Sequence, residues 1–251
     1  MLMLRCLGVG AQTQEARLLF QTREEILDLE ADHLGNLYLL HRDRLVKTDG
    51  SGQELARFSR PDLGVPDRIN VYDPMRILLF YPGFNQLIIL DNQLNPIVPP
   101  ISLFDWGLVD VPCAAIADEN NLWLYDQVAD RLLKMDVRDG RQLFSTPPLT
   151  QLIGQENQPL RLRTNVRGLL VLMEEGIARF DAMGNFSVFS PLPHVPDDLH
   201  LRDQSYTLSM QQTIMTEEGQ GLHHLEEQAH WTDDGERLYW TEGKAVWCKI
   251  Y

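Results

Sequence analysis

The feature that most constrains this chain is a repeat. The stretch from Ala115 to Arg138 reads AIADENNLWLYDQVADRLLKMDVR: a small apolar strand, an acidic turn, a strand with two aromatics, a second turn, and a strand closing on aspartate. The pattern also runs through Ile26–Asp49 and returns at the carboxyl end as HWTDDGERLYWTEGKAVWCKIY. Its most regular marker is the closing aspartate, at Asp49, Asp91, Asp136 and Asp181, spaced by 42, 45 and 45 residues. Each opens a turn (DGSG, DNQLN, DVRDG, DAMGN) in which a short carboxylate can accept hydrogen bonds from backbone two residues on. These aspartates are expected to shape turns, not to catalyse.

Three further strands surround each marker strand. An aromatic or aliphatic strand precedes it (NLYLLH, ILLFYP, NLWLYD, GLLVLM), an innermost strand comes before that (ILDLEA, RINVYD, AAIADE, RLRTNV), and an outer strand follows (ELARFS, PIVPPISL, RQLFST, NFSVFS). Four short strands in a unit of this length are the signature of a β-propeller blade. The strands are lettered a to d outward from the axis. A helix over TREEILDLEADHL is disfavoured because Leu27, Leu29 and Ala31 alternate. A two-sheet sandwich would not impose a fixed period.

The fifth unit is degenerate. Leu199–Arg202, Ser205–Met210 and Thr213–Thr216 serve as a, b and c, and Gly219–Gln228 reads as either strand d or a short helix. The sixth unit supplies a, b and c from AHWT, RLYWTE and AVWCKIY, after which the sequence ends at Tyr251. Its d strand is available at the other terminus, Ala16–Phe20, so one blade is expected to be built from both ends, which removes an open sheet edge. The fold expected is all-β, a six-bladed propeller of four-stranded antiparallel blades, formed by residues 15–251 as one domain.

Residues 1–14 stand outside the repeat. Their apolar run and Val9-Gly10-Ala11 read as the remnant of an export signal, or else as a frayed terminus. Elsewhere no run approaches the length of a membrane span. A net charge of −14 repels phosphate backbones and anionic lipid heads, which argues against nucleic-acid and membrane-surface roles. The three cysteines have neither disulfide-framework nor zinc spacing, and Cys113 and Cys248 fall half a ring apart, so two buried free thiols are expected beside Cys6.

ADENNLWLYDQVADRLLKMD resembles an NHL- or WD40-type blade. DPMRILLFYPGFNQLIILDNQL, Asp73 to Leu94, is similar to a segment in an uncharacterised family of propeller-like proteins of Bacteroidetes, a likeness extending over residues 20–190 and fading in the fifth unit. That resemblance implies a propeller fold and an extracytoplasmic location, in the periplasm or at the outer membrane. It implies no catalytic residue.

In a propeller the b–c and d–a connections, the long d–a loop from Thr146 to Pro159 among them, share one face. There the sequence places Tyr81, Phe84, Phe104, Asp105, Trp106, Asp126 and Gln127. Aromatic loop tips make good interface anchors; the competing reading has Phe104 and Trp106 folding back between blades. His223, His224, Glu226, Glu227 and His230, with Asp233 and Asp234, form the most metal-like cluster, but neighbouring histidines on a strand face opposite ways, so a solvated acidic loop is the better reading. Asp28, Asn70, Asn165 and Asp203 could be assembled into a calcium ring, as any acidic propeller allows. Arg161, Arg163 and Arg167 form one basic spot, expected to pair with neighbouring acids and otherwise able to hold an anion in the channel. No phosphate loop or nucleophile elbow occurs, and no cofactor is expected.

The functional expectation is a non-enzymatic scaffold, monomeric by itself, binding another cell-envelope protein through its loop face. The alternatives are a metal-dependent propeller hydrolase or lactonase, and a small-molecule or glycan binder in the central channel.

Overall fold

The computed structural model describes residues 15–118, 120–201 and 205–251. The export-signal reading of residues 1–14, with Cys6, lies outside them. Among the described residues the chain forms six separate four-stranded antiparallel sheets.

Strand β1 (Arg17–Gln21) comes first. Blade 1 is β2 (Asp28–Ala31), β3 (Leu37–Leu40), β4 (Leu45–Thr48) and β5 (Glu54–Phe58). Blade 2 is β6 (Arg68–Asp73), β7 (Arg76–Tyr81), β8 (Gln86–Leu90) and β9 (Ile101–Ser102). Blade 3 is β10 (Ala114–Asp118), β11 (Asn121–Asp126), β12 (Arg131–Asp136) and β13 (Gln142–Ser145). Blade 4 is β14 (Pro159–Asn165), β15 (Gly168–Met173), β16 (Gly176–Asp181) and β17 (Phe186–Pro191). Blade 5 is β18 (Asp198–Leu201), β19 (Tyr206–Met210), β20 (Thr213–Thr216) and β21 (Gly221–His224). Blade 6 is β22 (Trp231–Asp233), β23 (Arg237–Glu242) and β24 (Ala245–Ile250), with β1 paired to β24 as its outer strand. The ring therefore closes with the amino-terminal strand, as the sequence implies.

The reason for the ring lies in the middle strands. Both faces of b and c are covered by neighbouring blades, so these strands read as continuous apolar runs; all six residues of β15 are buried. The outer strands face water on one side, and β5 is mostly exposed. The apolar side chains sort into six clusters, one between each pair of adjacent blades. Period-two geometry does the sorting: along β7, Ile77, Leu79 and Tyr81 pack toward blade 1, while Leu78 and Phe80 pack toward blade 3. Each such buried side chain contributes about 1.5–3 kcal/mol.

All four marker aspartates shape turns. Asp49 accepts from the N–H groups of Ser51 and Gln53, Asp91 from Gln93 and Asn95, Asp136 from Arg138, and Asp181 from Met183 and Asn185, all at 2.8–3.0 Å. The fifth blade keeps the turn with Thr216, whose hydroxyl accepts from Gln220 N–H at 3.3 Å, so its marker is chemically present but unreadable as aspartate. Gly219–Gln228 contains strand β21, which resolves the strand-or-helix choice there.

Two expectations need correction. PIVPPISL is not a continuous strand: only Ile101 and Ser102 pair with β8, with an isolated bridge at Pro96, because its prolines cannot donate to a ladder. The connection from 146 to 159 is not simply a loop but holds a short helix, α1 (Leu149–Ile153), where Asp130 accepts from the Thr150 N–H at 2.9 Å. Cys113 and Cys248 are buried free thiols.

Candidate functional site

Two regions carry possible function. The first is the loop face over blades 2 and 3. A 3-10 turn at Pro82–Phe84 ends in Asn85, held in the left-handed region at φ 51°. The Asn85 side-chain amide donates to Leu108 O at 2.6 Å, and the Asn85 backbone carbonyl accepts from Leu103 N–H at 2.9 Å. A second 3-10 turn, Leu103–Trp106, follows, and Gln127 N–H donates to Asp110 O at 3.0 Å. Three connections far apart in sequence are thereby tied into one rim.

The sequence-derived residues divide on that rim. Phe84 and Phe104 are 50% and 56% exposed, and Asp105 is exposed beside them. Tyr81 is a correction: it is buried at the end of β7, in the core between blades 1 and 2, and offers no surface. Trp106 packs against the core between blades 2 and 3, with its indole filling the space where a Cβ on Gly140 would stand 2.2 Å from Nε1. It fills space between blades, as the competing reading held, whereas Phe104 does not. Asp126 Oδ1 accepts from Val128 N–H at 3.1 Å, shaping the turn that contains half-exposed Gln127. Sequence reasoning missed Val109 and Val128, 63% and 71% exposed on the same rim, because a lone loop valine carries no motif.

The second region is the central channel. Arg163 on β14 donates to Glu30 on β2 at 2.7 Å, from blade 4 directly across the ring to blade 1. Both side chains are deeply buried, 8% and 4% exposed. Arg163 Nε also donates to Leu199 O at 2.8 Å, and Arg161 donates to Asp198 at 2.6 Å. His200 completes the cluster, 3.6 Å from Glu30 and 3.7 Å from Asp198. Thr232 adds blade 6, its hydroxyl 3.4 Å from His200 Nδ1. Pairing with neighbouring acids is thus the fate of Arg161 and Arg163, while Arg167 is exposed on the β14–β15 turn.

Burial alone would raise the Asp198 carboxyl, but Arg161, with His200 and Arg163, outweighs it and holds the group far below the usual carboxylate value. Asp28 has no such close partner. Burial, and after it the Glu30 charge, push its value up to about 6.

Above the Glu30–Arg163 pair, on the face opposite the loop rim, the channel opens into a cavity of about 780 Å³. Its wall includes Glu30, Asn70, Asp73, Arg163, His200 and Asp234. Among the described residues, Asn70 Oδ1 and His200 Nε2 have no hydrogen-bond partner and almost no accessible surface, His200 Nε2 lying 3.7 Å from Asp198.

The metal-like cluster does not converge. His223 stacks on Trp240 at 4.0 Å between centroids, while His224 Nδ1 lies 3.2 Å from the Thr213 hydroxyl. Asp233 and Asp234 accept from the N–H groups of Gly235 and Glu236 in the β22–β23 turn. Among the described residues no three His, Cys, Asp or Glu side chains gather as metal ligands. Of the four residues considered for a calcium ring, Asn165 accepts from Arg167 N–H in its own turn, and Asp203 lies outside the described residues.

No family model matches the chain, and no curated protein matches it. Solved structures do resemble it. The Cps50 (Swd1) propeller domain of Myceliophteria thermophila aligns with TM-score 0.62 at 12% identity, over 90% of this chain and 82% of that one. A streptogramin B lyase aligns at 0.59 and 15% identity, over 92% and 81%. A protein of unknown function from Bacteroides caccae aligns at 0.53 and 9% identity, over 83% and 84%. At such identities the likeness is one of fold: this chain is a six-bladed β-propeller.

Proposed function

We propose that this protein is a non-catalytic propeller that binds another protein of the cell envelope through the loop face over blades 2 and 3. The observation that carries the reading is the rim: Phe84, Phe104, Val109 and Val128 are exposed, on connections tied by the Asn85–Leu108, Asn85–Leu103 and Gln127–Asp110 bonds. Exposed aromatics on a preorganised surface lose little entropy on docking, which is how interface anchors work. An extracytoplasmic location is supported by the Val9-Gly10-Ala11 spacing and by the likeness of Asp73–Leu94 to envelope proteins. No helix among the described residues is long and apolar enough to cross a membrane.

The test compares wild type with Phe84→Ser/Phe104→Ser and with Met183→Ser, an exposed apolar residue in the β16–β17 turn. All three should give the same circular dichroism and melting. The partner recovered from envelope extracts by wild type should be retained by Met183→Ser and lost by the rim variant. Equal recovery by all three would refute the loop face as the docking surface.

A further inference from the structure

We infer that the loop-face end of the channel is a site for a carboxylate group, gripped by Arg161 with Arg68 beside it. The two arginines stand toward the loop-face ends of the innermost strands β14 and β6, on blades 4 and 2. Both line a narrow cleft, with Cys113 and Ala114 of the intervening blade. Its free volume of about 20 Å³ is room for a group of one or two water molecules' size, so it admits the head of a ligand whose stem lies outside.

Arg161 is only 8% exposed, yet its donors are only partly used. Its ion pair with Asp198 runs through Nη1 alone, at 2.5 Å to Oδ1 and 2.6 Å to Oδ2. Among the described residues its Nε and Nη2 have no hydrogen-bond partner. Unlike Asn70 Oδ1 and His200 Nε2, these two atoms are not sealed from solvent. Nε and Nη2 form one edge of the planar guanidinium, spaced to meet both oxygens of a carboxylate. The chain uses that edge elsewhere: Arg60 Nε and Nη2 donate to the two oxygens of Asp62 at 2.8 and 2.7 Å. Unmet donors on a buried charge are costly, and a ligand acceptor relieves that cost.

Arg68 supplies a second cation. Its side chain is 47% exposed and its bonds are local: Nη1 donates to Asp67 O at 3.1 Å, and Nε lies 3.6 Å from Asp67 Oδ2. The acids at this end are already answered. Asp198 is paired with Arg161. Asp28 faces Glu30, Arg161, Asp198 and Arg68, and with its value at about 6 it holds a proton in mild acid. His230 acts on Arg68, Arg161 and Asp198 from blade 6 and, once protonated, adds to the positive side. With the acids paired or protonated, the open guanidinium edge selects the ligand.

The experiment is an NMR titration of the isotope-labelled full chain at about pH 5.5. The probes are sodium butyrate, for a free organic acid, and N-acetyl-glutamate N-methylamide, for the acidic side chain of a protein, with butylamine and sodium chloride as controls. Both carboxylates should shift the Arg161 Nε–H resonance and saturate in the millimolar range, and the tighter of the two names the source of the carboxylate. Arg161→Lys keeps a charge beside Asp198 but not the fork, so it should weaken butyrate about tenfold, read from the Ala114 and Leu162 amides. Arg68→Gln, a change at an exposed side chain, should weaken it about threefold. Arg167→Gln removes an equal charge from the exposed β14–β15 turn and should bind butyrate as wild type does. So should Phe84→Ser/Phe104→Ser, which separates this site from the rim. No shift with either carboxylate at about 50 mM, an equal shift with chloride or butylamine, or undiminished butyrate binding in folded Arg161→Lys or Arg68→Gln would overturn the inference.

Discussion

Glu30 and Arg163 make a sharp test of how the ring is held. The pair joins opposite blades at 2.7 Å with side chains 4% and 8% exposed, so removing either partner leaves the other's charge buried without it. Breaking a buried pair in this way costs about 3–5 kcal/mol. The structure predicts which variant sits at which end. In Glu30→Gln the orphaned Arg163 still has Asp198 at 3.8 Å and keeps its bond to Leu199 O. In Arg163→Met the orphaned Glu30 has, among the described residues, only His200 at 3.6 Å and the Thr232 hydroxyl at 3.5 Å, so Arg163→Met is the costlier change. The expected losses are about 3 and about 5 kcal/mol respectively. The double variant removes both charges and should cost at least about 2 kcal/mol less than the sum of the single losses.

Urea unfolding of the three variants at pH 7.5, followed by circular dichroism, measures the cycle. The coupling should persist in 1 M NaCl, where the Debye length of about 3 Å screens exposed pairs but not a buried one. Additivity of the two single losses within about 0.5 kcal/mol would refute the bridge. A larger loss for Glu30→Gln than for Arg163→Met would refute the ordering.

Asp28 gives a pH prediction. Its folded value, about 6, lies above the ordinary 3.8, so the folded chain holds this proton more tightly than the unfolded one. Stability therefore falls as pH rises from 3.8 to about 6 and stays reduced above, by at most about 3 kcal/mol. Asp28→Asn removes that loss while its side-chain carbonyl can still accept from Leu29 N–H, so it should melt higher than wild type at pH 8, with the gap shrinking at pH 4.5; a pH-independent gap would count against it. Gly184→Ala tests blade-to-blade packing: with φ at 91° the new Cβ would stand 2.5 Å from the Phe144 ring and 2.7 Å from Trp123. Left-handed strain and overpacking together should cost about 2–5 kcal/mol. Gly64→Ala, at φ 69° with open space around it, should show only the strain of about 1–2 kcal/mol, and equal melting losses for the two would contradict the contact.

Much of the fold was legible because a propeller is written locally. A marker aspartate and the N–H groups it caps lie within four residues, and alternate residues of one strand face different neighbours, so turns and blades are visible in short windows. The closing strand was legible for a related reason: blade 6 lacked one strand and the amino terminus had one spare. Where local chemistry changed, the reading thinned, as with Thr216 replacing the aspartate or prolines interrupting the strand before Ile101.

The sites were less legible. The rim aromatics could be placed on one face, yet exposed Phe104 and half-buried Trp106, two residues apart, are separated only by what packs over Gly140. The channel was harder still. Glu30 and Arg163 stand 133 residues apart, and nothing near either one announces the other. By itself the sequence determined the blades, their number and their closure, because those depend on neighbours along the chain. Only the tertiary structure decided that two arginines meet acids across and around the ring, because closing a ring brings together residues that share no local pattern.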